Sequence, residues 1–141
     1  GRTFMDPIDC PFRAADETIA EIGDHAKVII VDIHAEATSE KIAMGRYLAG
    51  RVSAVIGTHT HVQTSDERVL DGGTAYITDV GMTGVEDFVI GRKCELVIER
   101  FITRMPNKFE LAEGESSMHA VIIEIDPTTG RAASINRLVA P

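Results

Sequence analysis

Two histidines, His59 and His61, stand one residue apart, just past a short apolar run from Ala54 to Ile56 and the glycine Gly57. The run has the composition of a buried strand. In an extended segment, side chains at i and i+2 point to the same side, so both imidazoles are expected to reach one point at the strand's end. Neutral imidazole is the commonest metal ligand near neutral pH. A third histidine, His34, ends the β-branched run Lys27–Ile33. If the two runs are parallel neighbours, all three histidines lie at the carboxyl edge of one sheet, where α/β folds place their ligand sites. Three imidazoles there favour a borderline transition metal such as Fe, Mn or Zn over Ca or Mg. Glu36 is placed to join as a ligand or to orient one. Asp32 is expected to alternate away from His34. Asp79 follows another strand, at the same edge. With the loop Gly81–Gly84 it either shapes a phosphate or base pocket or simply belongs to a turn. His25 is expected to be solvated, and His119, on a face with Val121, Ile123 and Ile125, to be structural.

Other chemistries lack their signals. The chain has no GxxxxGK[ST] or GxGxxG phosphate loop and no GxSxG elbow. Nothing marks Cys10 or Cys94 as a nucleophile. Far apart in a chain without other secretory marks, they read as two reduced thiols in a cytoplasmic protein. With 22 acidic against 14 basic residues the net charge is −8, which argues against bulk nucleic-acid binding through a basic face. The longest apolar runs are far shorter than a membrane span.

The elements that must position these residues follow from the pattern. Pro11 in a first turn capped by Asp9 opens a helix whose apolar face is Phe12, Ala15, Ile19 and Ile22, and Gly23 ends it. Lys27–Ile33 is a strand expected to be buried on both faces. A helix capped by Thr38 or Ser39 carries Met44, Tyr47 and Leu48 to about Gly50. The strand Ala54–Ile56 follows, so the order favours a parallel βαβ unit. Thr74–Thr78 is a short strand running into the loop Asp79–Gly84, and Cys94–Thr103 has helical spacing. Three further strands, Phe109–Ala112, Met118–Ile125 and Ala132–Val139, form an antiparallel end, with Asp126–Gly130 as a hairpin loop. At 141 residues the chain suits one α/β domain or part of one.

Gly57-Thr-His-Thr-His61 resembles the GHxH-type motif of calcineurin-like metallophosphoesterases, with one extra residue between the glycine and the first histidine. Longer strings are more specific: Asp32-Ile-His-Ala-Glu-Ala-Thr-Ser-Glu-Lys41, Gly57-Thr-His-Thr-His-Val-Gln-Thr64 and Ala75-Tyr-Ile-Thr-Asp-Val-Gly-Met-Thr-Gly84. They resemble the YmdB-type bacterial phosphodiesterases, which act on 2′,3′-cyclic nucleotides, and the likeness covers essentially the whole chain. The resemblance implies an αββα sandwich holding two divalent transition metals, Fe or Mn foremost and Zn as another choice. His34 and His59 then correspond to ligands of one metal and His61 to a ligand of the other. Two such ions clamp a phosphodiester, neutralise its charge and activate water for in-line attack.

The family's early Asp, its Glu-Asn pair and its Asn-His pair with the catalytic histidine have no counterpart here. Residues 1–141 are therefore expected to be the C-terminal half of a single catalytic domain whose N-terminal half is absent, with no catalytic residue of its own. Such a half leaves a strand edge and an apolar face exposed, so self-association or pairing with the missing half is expected. The expected ligand is a cyclic nucleotide or a related small phosphodiester. Two other readings stay open. One is a non-catalytic interaction or regulatory protein with at most one structural metal. The other is a mononuclear metal hydrolase with Glu36 as general base.

Overall fold

The computed structural model describes residues 1–85 and 88–141. In chain order the elements are α1 (Pro11–Ile22), β1 (Ile30–His34), α2 (Thr38–Leu48), β2 (Ala54–Thr58), β3 (Arg68–Leu70), β4 (Thr74–Ile77), β5 (Thr83–Val85), α3 (Cys94–Thr103), β6 (Ser116–Ile125) and β7 (Ala132–Ala140). The first sheet has the order β1-β2-β4-β3. Its strands β1, β2 and β4 are parallel, and β3 pairs antiparallel with β4. The second sheet, β5-β6-β7, is antiparallel throughout. The mixed α/β class expected from the sequence is what forms.

Strand alternation builds the layers. On one face of the first sheet, Ile33, Val55 and Tyr76 pack with Met44 and Leu48 of α2 and with Phe12, Ala15 and Ile19 of α1. The residues between them, Ala54, Ala75 and Ile77, face the other way and pack against Ala132, Ile135, Val121 and Ile123 of the second sheet. The result is a helix layer, a sheet and a second sheet, with an apolar seam on each side of the central sheet. Gly45 lets α2 lie close on its sheet, because a Cβ there would run into the Tyr76 ring. The hairpin loop Asp126–Gly130 forms as expected, with Gly130 at φ +71°.

Several sequence expectations are corrected. β1 is not buried on both faces: Ile30 is 54% exposed. It is an edge strand, and β7 lies over β3 and β4, so the face carrying Ile30, Asp32 and His34 is left uncovered. Neither helix has the expected side-chain cap. Cys10 and Ala37 occupy the cap positions of α1 and α2. Glu40 instead turns back to accept the backbone N–H groups of Arg2 and Thr3. Tyr47 is 44% exposed rather than core; its ring meets Phe12 edge-on at 5.3 Å and its hydroxyl donates to Asp16. Phe109–Ala112 is not a strand, since only Leu111 forms a bridge, to Arg92. Part of the supposed glycine loop is strand β5, which exists because Thr83–Val85 pairs with β6.

Candidate functional site

The carboxyl ends of β1 and β2 meet in register, with His34 beside Thr58. In-register neighbours share a face, so Asp32, His34 and Thr58 all stand on the uncovered side. This reverses the expectation for Asp32: at i and i−2 it and His34 point the same way. Thr58 Oγ1 donates to Asp32 Oδ1 at 2.9 Å and lies 3.0 Å from His34 Nδ1. A hydroxyl has one hydrogen. Thr58 has given it to Asp32, so His34 Nδ1–H is the donor and His34 Nε2 carries a bare lone pair. The hydrogen-bond network assigns this tautomer.

His59 sits just past β2, and its Nδ1 is 2.9 Å from His34 Nε2, with the rings 82° apart. Its own Nε2 is 3.0 Å from Glu36 Oε2. Glu36 accepts that N–H, which leaves Nδ1 facing His34. In neutral rings held this way, two lone pairs point at each other. That arrangement is repulsive unless a cation, either a proton or a metal, lies between them.

A metal fits this pair. Two ligands at 2.0–2.1 Å from one ion and about 90° apart are themselves separated by roughly 2.9 Å. Each outer nitrogen is tied to an acceptor, the arrangement that fixes ring orientation around bound metals. Glu36 thus stands as the orienting partner of His59, and the Thr58–Asp32 pair does the same for His34. A Thr58→Val substitution is therefore expected to weaken metal binding roughly 10- to 100-fold, read by competition with a chelator. The same variant is expected to keep its unfolding midpoint within about 1 kcal/mol. Unchanged metal affinity would refute the role given to Thr58.

His61 stands elsewhere. Strand geometry ends at Thr58, and both His59 (φ 111°) and His61 (φ 64°) have positive φ, so the i, i+2 rule for extended chain no longer applies. Among the described residues, no three His, Cys, Asp or Glu side chains converge where an ion could sit; the chain brings together two imidazoles. His61 lines a cavity of about 410 Å³, with Gln63, Met82 and His119 among its walls. His119, expected to be structural, packs against Gly81, where a Cβ would come within 2.7 Å of the His119 Cβ. A second, apolar cavity of about 910 Å³ runs between α1 and β1 and reaches Asp32 and His34. Non-glycine residues at positive φ cost about 1–3 kcal/mol each and persist where surrounding contacts impose them.

Those contacts come from Asp79, which is wholly buried. Its Oδ2 accepts Lys41 Nζ at 2.7 Å, the Thr60 N–H at 2.9 Å and the Thr60 hydroxyl at 2.7 Å. Its Oδ1 accepts the Gly81 N–H. Lys41 is equally buried. Asp79 thus holds the residue between the two histidines, rather than forming a pocket wall itself. Asp66 plays a parallel part, accepting from Thr64, Thr78 N–H and Thr78 hydroxyl. The sequence reading missed Lys41, Thr58 and Asp66. Only the strand parity of Asp32 was available to a closer reading.

Burial works to raise both carboxyls. Lys41, Thr60 and the Gly81 N–H outweigh it at Asp79, and Thr78 and Thr64 outweigh it at Asp66, so both are held below the usual carboxylate range. A lowered folded pKa contributes stability that is full above the unfolded value and lost as pH falls through the folded one. The stability gap between the wild type and Asp66→Asn is therefore expected to be constant from about pH 7 to about pH 5 and to shrink below about pH 4. Urea unfolding measures it, and a gap that widens on acidification would contradict the assignment.

The family described as YmdB-like protein matches residues 1–138. The chain is 54% identical over 139 residues to a 2′,3′-cyclic-nucleotide 2′-phosphodiesterase of Bacillus subtilis, covering 99% of this chain and 53% of that protein. A solved structure of a hypothetical protein from Thermus thermophilus superposes with a TM-score of 0.93 at 47% identity, over 100% of this chain and 55% of its own. A phosphatase from Mycoplasma pneumoniae gives a TM-score of 0.86 at 36% identity, over 92% and 46%. The chain thus spans about half the length of the relatives it matches.

Proposed function

Because the chain belongs to the YmdB-like protein family, we propose that it supplies part of the active site of a metal-dependent phosphodiesterase that hydrolyses cyclic nucleotides or related small phosphodiesters. The observation that carries this is the pair of facing imidazole nitrogens, His34 Nε2 and His59 Nδ1, 2.9 Å apart, with each outer nitrogen anchored by Thr58 or Glu36. His34 and His59 would hold one divalent transition metal, Fe or Mn in first place, and His61 would contribute to a second. Such ions supply charge neutralisation of the phosphodiester and an acidified water. The chain's own residues do the rest. Asp32, Thr58 and Glu36 orient the rings, and Asp79 holds Thr60 between them.

Two imidazoles without bridging carboxylates cannot hold two cations close together or neutralise their charge. The remaining ligands and the catalytic histidine would enter at the uncovered face of β1, beside Ile30 and His34. We assign that face to the other half of the domain, with self-association as what replaces it when that half is missing. Both cysteines are free thiols, in keeping with a cytoplasmic location. Among the described residues no helix is long and apolar enough to cross a membrane.

The test uses the full-length protein. Two equivalents of Fe or Mn, turnover of 2′,3′-cyclic AMP, and loss of both in a His59→Ala/His61→Ala variant are the expected results. Full activity in that double variant would overturn the assignment. Residues 1–141 alone are expected to show no turnover comparable to the full-length enzyme.

A further inference from the structure

We propose that the cavity beside His61 is a nucleobase subsite, and that it favours bases carrying an exocyclic amino group. The proposal rests on the phosphodiesterase reading and extends it to what the enzyme recognises beyond the phosphate. The cavity holds about 410 Å³ and shares His61 as a wall, so a ligand in it lies within one nucleotide of the proposed metal ligand. Among the described residues its other walls are Val62, Met82, Phe88 and Ile90, which are apolar, with Gln63 and His119. A flat ring with an apolar face and a polar edge suits such walls, since bases stack on aromatic side chains irrespective of sequence and thioethers contact ring edges.

Two further observations mark the cavity as built for a ligand. Ile90 is 50% exposed and has φ 45°, a conformation that is a true outlier for a β-branched residue. A strained backbone that presents an apolar side chain to an open cavity is the kind of cost found at binding sites. Gln63 supplies the polarity. Its Nε2 donates to Val80 O at 3.2 Å and to Ala120 O at 3.0 Å, which consumes both amide hydrogens. With carbonyls on both sides, the nitrogen must be placed there. Only Oε1 remains, and it can only accept.

An acceptor at the base edge selects by what flanks the donor it meets. Adenine, cytosine and guanine each present an amino group that donates to it. Uracil presents its single N–H between two carbonyl oxygens, whose lone pairs oppose Gln63 Oε1. One neutral hydrogen bond corresponds to roughly a threefold to tenfold preference.

The experiment takes the full-length, metal-loaded protein and measures kcat/KM on 2′,3′-cyclic AMP, CMP, GMP and UMP, with glycerol 1,2-cyclic phosphate as the base-free diester. The wild type is expected to favour the three amino-bearing nucleotides over cyclic UMP by about threefold to tenfold. Phe88→Ala is expected to lower kcat/KM for cyclic AMP at least fivefold relative to glycerol cyclic phosphate. Gln63→Leu is expected to erase the preference over cyclic UMP. The wild-type preference and Phe88→Ala decide the matter even if Gln63→Leu does not fold. Equal kcat/KM on all four nucleotides, together with an equal effect of Phe88→Ala on cyclic AMP and the base-free diester, would overturn the subsite. If the wild type hydrolyses none of the diesters, the phosphodiesterase reading itself fails, and that result is distinct from the previous one.

Discussion

Replacing Gly57 with alanine is expected to unfold the carboxyl edge of the first sheet, at a cost above about 3 kcal/mol, the upper end of ordinary overpacking. Gly57 lies in β2 where the chain leaving β4 crosses it, and its carbonyl accepts the Val80 N–H at 2.8 Å. A methyl there would fall inside the van der Waals envelope of the Thr78 carbonyl oxygen, 2.7 Å from the Thr78 carbonyl carbon and 2.9 Å from Lys41 Cδ. Backbone cannot move aside as the end of a flexible side chain can. Gly84 is the matched control. A Cβ there meets only the mobile Met82 Cε, at 3.3 Å, so Gly84→Ala is expected to change stability by less than about 1 kcal/mol. Denaturant midpoints of the two variants test the contrast, and equal midpoints would refute it. The glycine of the His-Thr-His motif is thus a packing requirement that brings β2 and the β4 loop together.

Removing one partner of the Lys41–Asp79 pair is expected to cost about 3–5 kcal/mol, because it strands a charge in a wholly buried place. Lys41→Met leaves the Asp79 carboxylate without its cation, and Asp79→Asn leaves the ammonium without its anion. Replacing both, as Lys41→Met/Asp79→Leu, is expected to recover more than half of the lost stability, since no buried charge then remains. The double variant still lacks the carboxylate that held the Thr60 N–H and hydroxyl. It is therefore expected to fold and yet bind metal weakly. Unfolding midpoints and metal content of the full-length protein separate these effects. A double variant that regains stability and full metal content would show that the pair serves the core alone.

Much of the site was legible before folding. The residue types and their positions at strand ends marked His34 and His59, because parallel strands must present their carboxyl ends on one edge. Glu36 was marked too, by its nearness to His34 in the chain. The structure parts from the simple pattern where the chain stops being extended. His59 and His61 both have positive φ, so strict alternation ceased to predict direction, and His61 turned to the cavity with Gln63. Asp32 failed for the opposite reason: there the alternation held, and its parity placed it with His34. Caps failed because the helices start at Pro11 and Thr38, which puts Cys10 and Ala37 rather than a capping oxygen at the cap positions.

The sequence by itself determined the α/β class, the β1-α2-β2 unit and the placement of His34 and His59 at one sheet edge, since apolar period, residue type and local turn signals are properties of short stretches. Tertiary structure alone decided which nitrogens face each other, which hydroxyl fixes a tautomer, and which buried ion pair holds Thr60 between the two histidines. Those outcomes depend on contacts between residues such as Lys41 and Asp79, or Gln63 and Ala120, that lie 38 and 57 positions apart. No local pattern encodes the register in which such segments meet.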